Sequence, residues 1–262
     1  MSGDVWVYAH RGASAELPEN TLRAFERALA LGVDALETDV HLTRDGVVVV
    51  HHDADGGRTC GVPTRLSAAT ASDVASWDAG FGWVLPGGAR PFAGRGYRVP
   101  TLEEVIARFP GIPLNVDLKV HDPAAARRVV DVVMAAGAAA TVRLTSASDR
   151  ALAAIRAAGY AGPTGIGRRE AIRIIASPLA LLRRRPPLGG ALQIPVRFRG
   201  MGLLSRALVA RCHALGIRVD YWTVNAPGLA RRIVALGADG VMTDDPRRVV
   251  PTVRAAAASR TT

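Results

Sequence analysis

Three histidines, an arginine, a lysine and four carboxylates stand in this sequence inside short strand-like runs, several of them two residues apart. "AHRG" supplies His10 and Arg11, "LETDV" Glu37 and Asp39, "HHD" His51, His52 and Asp53, and "NVDLK" Asn115, Asp117 and Lys119. Residues two apart on a strand face the same side, so Glu37 points with Asp39, and Asn115 with Asp117 and Lys119. Carboxylates turned into a protein are prohibitively desolvated unless they are paired or hold an ion or a charged ligand. Glu37, Asp39 and Asp117 together are oxygen ligands for a hard divalent cation, Mg²⁺ or Ca²⁺. Zinc suits them less, with no sulfur ligand present and the histidines better employed elsewhere. A cation so held, flanked by Arg11 and Lys119, is a receptor for a phosphate. His10 and His52 then divide the general acid and general base roles on either side of the phosphorus. The constellation fits hydrolysis of a phosphodiester.

These residues need a frame that brings separate strand ends together. Apolar strand-like runs alternate with amphipathic helical stretches along the whole chain: "VWVYA", "VDALETDVHL", "VVVVHHD", "IPLNVDLKV", "TVRLTS", "PTGIG", "GALQIPV", "IRVDYWTVN" and "DGVMTD". Steady βα alternation predicts a parallel sheet with crossover helices. The strand count, and the lack of a glycine-rich dinucleotide fingerprint, favour an α/β fold of the TIM (β/α)8 barrel type over an open doubly wound sheet. Nine candidates are one too many for eight staves, and the pattern does not say which is surplus. Asp45-Gly46 between two β-rich runs signals a tight turn. Residues 53–98, rich in glycine and proline, break the rhythm and read as a small insertion after the third strand, with one helix near 68–77. Residues 252–262 read as a tail that frays, and residues 1–262 as a single domain. In such a barrel the working residues sit at the C-terminal strand ends. Read there, the strands give all the residues above, with Trp222 and Asn225 from "WTVN" and five of the six histidines; Trp222 lines the pocket or merely packs. His41 and His51 read as structural or supporting, and Asn20 as the cap of the first helix, with a supporting role at the site as its second reading.

Composition narrows the partners. The net charge of +10 over 262 residues would suit a polyanion, but the arginines are spread through periodic segments and aromatics are only 5%, so no nucleic-acid partner is expected. Cys60 and Cys212 fit no metal spacing and read as incidental thiols of a reducing compartment. The N-terminus shows no basic region followed by an apolar stretch, and "AIRIIASPLALL" is too short to span a bilayer, so a cytoplasmic protein is expected. The segment 169–185, apolar between arginines and interrupted by Pro178, reads as a solvated amphipathic helix, with weak membrane-surface association as the alternative. Oligomeric state is not legible.

"HRGASAELPENTLRAFERAL", "LETDVHLTRDGVVVVHHD", "VPTLEEVI", "LNVDLK", "WTVN" and "GADGVMTDDP" occur in the order and approximate spacing of the glycerophosphodiester phosphodiesterase family, and the chain resembles that family from residue 9 to about 246. The resemblance implies a TIM barrel, a divalent metal and hydrolysis of glycerophosphodiesters, small-molecule substrates, to glycerol 3-phosphate and an alcohol. It matches His10 and His52 to the acid–base pair, Glu37 and Asp39 to metal ligands, and Arg11 and Lys119 to phosphate-binding positions. The family usually has glutamate where Asp117 stands, and aspartate is shorter by one methylene. Two other functions share these residues: a lysophospholipase D-type activity on lysophospholipid headgroups, and a non-catalytic barrel that binds phosphate esters. Lys119 is the only lysine in a chain with 33 lysines and arginines together. That bias suggests that a compact ammonium fits there and a planar guanidinium does not.

Overall fold

Strands Trp6–His10, Ala35–Leu42, Leu114–Leu118 and Val142–Thr145 lie side by side and parallel, as do Ala191–Pro195, Arg218–Trp222 and Gly240–Thr243. The last strand pairs back onto the first, Trp6 opposite Gly240. Two single parallel bridges, Leu144 to Thr164 and Gly165 to Ala191, complete the ring where "PTGIG" stands. That fifth stave is reduced to bridges because Pro163 has no N–H to give, and because Gly165 runs so close to its neighbour that a Cβ would meet Thr145 Oγ1 at 2.6 Å. The protein is therefore a (β/α)8 barrel; the structure, a computed structural model, describes residues 5–259.

The surplus strand is Val48–Val50. It pairs antiparallel with Ala35–Leu42, Val40 opposite Val50, because the turn at Asp45-Gly46 (Gly46 φ 80°) reverses the chain within a few residues. A parallel neighbour would need a long crossover. The third strand in chain order is thus no stave, and the expected placement of His51, His52 and Asp53 at a barrel strand's end is corrected. They reach the barrel mouth from the returning arm of a hairpin, where the His51 amide donates to Asp39 O at 2.9 Å.

The insertion follows that arm and contains the expected helix, Ala71–Ala75, closed by a capping box between Thr70 and Asp73. It buries a small core of its own around Cys60, Leu66, Val74, Trp77, Tyr97 and Val99. Trp83 Nε1 donates to Ser14 O at 3.3 Å, which ties the insertion to the loop after the first strand.

Elsewhere two expectations change. Residues 252–258 do not fray: they continue the helix Pro246–Ala258, whose Val249 and Val253 are buried, while residues 260–262 lie outside the described residues. The cap of the helix Leu22–Ala30 is Thr21, whose hydroxyl accepts from the Ala24 amide; Asn20 is not the cap. The segment 169–185 does break at Pro178, into helices Arg168–Ala176 and Leu179–Arg184. Ile174 and Leu182 are buried, and Ile172, Ile175 and Leu181 are exposed. Among the described residues, no helix is long and apolar enough to cross a membrane.

Candidate active site

The loop after the first strand is set by backbone geometry that few residues tolerate. Arg11 (φ 57°) and Asn20 (φ 56°) both lie in the left-handed region, a costly conformation for side chains other than glycine and one that gathers at functional sites. The loop is pinned by the Asn20 amide on Arg11 O at 2.9 Å and by the Arg11 amide on Glu37 O at 3.0 Å. Gly12 (φ 84°) must be glycine, because a Cβ there would stand 2.7 Å from the Ala24 backbone. Both strained residues turn their side chains to one carboxylate. Arg11 Nε lies 3.0 Å from Asp39 Oδ2, and Asn20 Nδ2 donates to the same oxygen at 3.1 Å. Asn20 also accepts from Thr38 Oγ1. The supporting reading of Asn20 is the one its contacts match.

Asp39 is the hub. It is 1% exposed, and its other oxygen lies 2.9 Å from Lys119 Nζ, which lies 2.6 Å from Asp117 Oδ2. The register explains the meeting, since Asp39 sits opposite Asp117 in the parallel pair. Burial raises the Asp39 pKa, but Lys119 and then Arg11 outweigh it and hold the group below its ordinary value. Burial likewise raises Asp117, and here Lys119 does not fully reverse it. Lys119 is drawn down by burial and driven further up by Asp117 and Asp39, so its ammonium stays charged.

Glu37 differs. It is 5% exposed, and among the described residues no lysine or arginine head group lies within ion-pair distance of it. Its Oε2 accepts from the Arg11 amide at 3.2 Å and lies 3.9 Å from His10 Nε2. Burial, and then the Asp39 charge, push its pKa up to about 8 from an ordinary 4.5. The folded protein therefore keeps a proton that the unfolded chain releases, and stability falls as pH rises between those two values. In chelator, Glu37→Gln is expected to flatten the fall in melting temperature between pH 5 and pH 8. A slope equal to that of the parent would show that Glu37 is ionised throughout.

Each imidazole at the mouth is held through Nδ1 by a carboxylate. His10 Nδ1 lies 2.7 Å from Asp244 Oδ1, and His52 Nδ1 lies 2.7 Å from Asp53 Oδ1. A carboxylate only accepts, so Nδ1 carries the proton and Nε2 of each ring is left outside that bond. The surroundings of the two acids differ. Asp244 is bonded by neutral groups, Ser14 Oγ at 3.1 Å and Asn225 Nδ2 at 2.7 Å. Asp53 takes Arg58 Nε at 2.6 Å, and Arg58 in turn forks onto Glu19. Burial lowers the His10 pKa, but Glu37 and the bond to Asp244 outweigh it and raise it. Asp53, raised by burial, is pulled down to about 2 chiefly by Arg58 and His52.

His41 and His51 are held by hydrogen bonds: His41 Nε2 bonds His52 O, and His51 bridges Asp53 O and Thr59 Oγ1. His121 is exposed and His213 pairs with Asp239. Trp222 ends the strand Arg218–Trp222 and is 40% exposed. Sequence reasoning missed the roles of Asp244, Ser14, Asn225 and Glu19. The signal for Asp244 was present: "TDD" ends the last stave, and acids at C-terminal strand ends are candidates.

Glu37, Asp39 and Asp117 thus share one mouth. Among the described residues no three acidic, histidine or cysteine side chains are drawn into a ready metal cage, because Asp39 and Asp117 close on Lys119. A guanidinium replacing that ammonium would still compensate both carboxylates but would crowd the mouth with a second planar fork beside Arg11. Lys119→Arg is expected to keep the melting temperature within a few degrees and to lower kcat/KM at least about tenfold, roughly 1.4 kcal/mol. Parental turnover would make the lone lysine an accident of composition.

Residues 10–248 match the glycerophosphoryl diester phosphodiesterase family. A glycerophosphodiester phosphodiesterase of Caldanaerobacter subterraneus is 30% identical, over 95% of this chain and 97% of its own. Human lysophospholipase D GDPD1 is 27% identical, over 92% of this chain and 83% of its own. The crystal structure of a glycerophosphodiester phosphodiesterase from Thermotoga maritima superposes with a TM-score of 0.71 at 26% identity, covering 94% of this chain and 97% of that one.

Proposed function

Since the chain belongs to the glycerophosphoryl diester phosphodiesterase family, and so is a phosphoric diester hydrolase, we propose that it cleaves glycerophosphodiesters to glycerol 3-phosphate and an alcohol, using a divalent ion and the pair His10 and His52. The observation that carries the mechanism is the matched geometry of the two imidazoles, each held by a carboxylate 2.7 Å from Nδ1.

The donor set suits a hard cation. It offers three carboxylates and no thiolate, and among the described residues no lysine or arginine head group lies within ion-pair distance of Glu37. Glu37, Asp39 and Asp117 would hold the ion, Mg²⁺ or Ca²⁺, with Asp39 and Asp117 shared with Lys119. When bound, such an ion withdraws charge from the phosphoryl oxygens. The chain's own groups do the rest. Arg11 and Lys119 bind and orient the phosphate. Glu37 and the bond to Asp244 raise the His10 pKa against burial, and His10 Nε2 gives its proton to the departing alcohol oxygen. His52, its ring held through Nδ1 by Asp53, takes the proton of the attacking water at Nε2. The P–O bond to the alcohol breaks as the bond to water oxygen forms.

One observation favours a second substrate class: Trp222, Phe198 and Met201 expose apolar surface beside the mouth, as headgroup removal from a lysophospholipid would use. The test is a panel of glycerophosphocholine, glycerophosphoethanolamine, glycerophosphoinositol and lysophosphatidylcholine. Release of glycerol 3-phosphate from one of the first three is expected. Turnover of lysophosphatidylcholine alone would move the assignment to the lysophospholipase D reading, and no turnover of any would sink both.

A further inference from the structure

After the strand Ala191–Pro195 the chain builds a minimal hairpin, Arg197–Phe198 paired antiparallel with Met201–Gly202. Arg199 (φ 48°) and Gly200 (φ 84°) form its tip, both in the left-handed region. That is the turn hairpins prefer, usually made with asparagine and glycine, and arginine adopts it at a cost. The hairpin presents Phe198 and Met201 as cross-strand partners, 46% and 63% exposed. Its base is fixed beside the mouth: the Val196 amide donates to Trp222 O at 3.1 Å, and the Leu203 amide to Val196 O at 2.9 Å. Trp222 itself is 40% exposed. Arg197 and Arg199 flank the apolar pair, the Arg199 guanidinium 5.6 Å from the Phe198 ring. The insertion adds exposed Val84 and Leu85 next to Trp83, the residue that ties it to the loop of His10.

Large apolar side chains held outward on a strained tip, between arginines, do not serve the fold. They have the composition of a segment that enters the headgroup boundary of an anionic bilayer, where tips bury in the acyl region and cations meet lipid charge. The net charge of +10 has the sign to hold the protein there. We propose that the barrel mouth seats on an anionic lipid surface through the hairpin Arg197–Gly202, with Phe198 and Met201 inserted and Arg197 and Arg199 on the headgroups. The seat rests on the hairpin's own geometry. Its consequence, that the site draws diesters from a lipid surface, rests on the phosphodiesterase reading above. A competing patch, Ile172, Ile175 and Leu181, lies on the helices after the fifth stave and not on a strand-end loop.

The test is co-sedimentation of the full chain with phosphatidylcholine vesicles, with and without phosphatidylglycerol, at low and high salt. Binding is expected only with phosphatidylglycerol and is expected to weaken with salt. The double variant Phe198→Ser with Met201→Ser should lose at least about tenfold in partitioning, while Ile172→Ser with Ile175→Ser keeps it. Both should hydrolyse glycerophosphocholine as the parent does, which separates this test from that of the function itself. Three results would overturn the seat: no binding of the parent to the anionic vesicles, loss of binding in the helix variant with the hairpin variant unaffected, or loss of lysophosphatidylcholine turnover without any loss of vesicle binding. The last would make the hairpin a holder of single acyl chains.

Discussion

Replacing either His10 or His52 with alanine is expected to lower kcat by about a hundredfold or more, the range of general acid–base catalysis. Both side chains are partly open, 16% and 32% exposed, so the fold should tolerate their loss. The double variant should lose less than the product of the two single losses, because an acid and a base serving one displacement act as a unit. Wild-type turnover in either single variant would remove that residue from the reaction. The pH profile separates the two roles. A general acid must be protonated, so activity falls as pH rises through the His10 pKa, which Glu37 and Asp244 raise against burial. Asp244→Asn weakens that support, and the alkaline limb should move to lower pH. A limb that stays in place would mean that Asp244 only positions the ring.

Stripping divalent ions is expected to abolish hydrolysis, and Mg²⁺ or Ca²⁺ to restore it, because Glu37, Asp39 and Asp117 offer oxygen ligands alone. A readout free of activity is available. An ion at about a hundred times its Kd adds about 2.7 kcal/mol of stability, on the order of 5–10 °C for a chain of this size. Glu37→Gln should erase most of that rise. Asp117→Glu, which restores the residue usual in the family, should change metal preference or affinity more than melting temperature, since one added methylene lets the carboxylate reach past Lys119. Full activity in a chelated sample would sink the ion. Unaltered metal dependence in Asp117→Glu would place that side chain away from it.

The sequence by itself determined the periodic elements and which side chains turn inward. Two-residue spacing is a property of one strand, so the pairing of Glu37 with Asp39, and of Asp117 with Lys119, was legible before any fold was known. The Asp-Gly turn also held the answer to the surplus strand, because so short a connection permits only antiparallel return. Only the tertiary structure decided which charge meets which. Ring closure sets the last stave against the first and brings Asp244 to His10 across 234 residues of sequence. The returning hairpin arm sets His52 beside Asp39, and the insertion delivers Arg58 to Asp53. These pairings give two histidines that look alike in sequence different surroundings. They depend on the register between strands, and local periodicity carries no information about the register of strands distant in the chain.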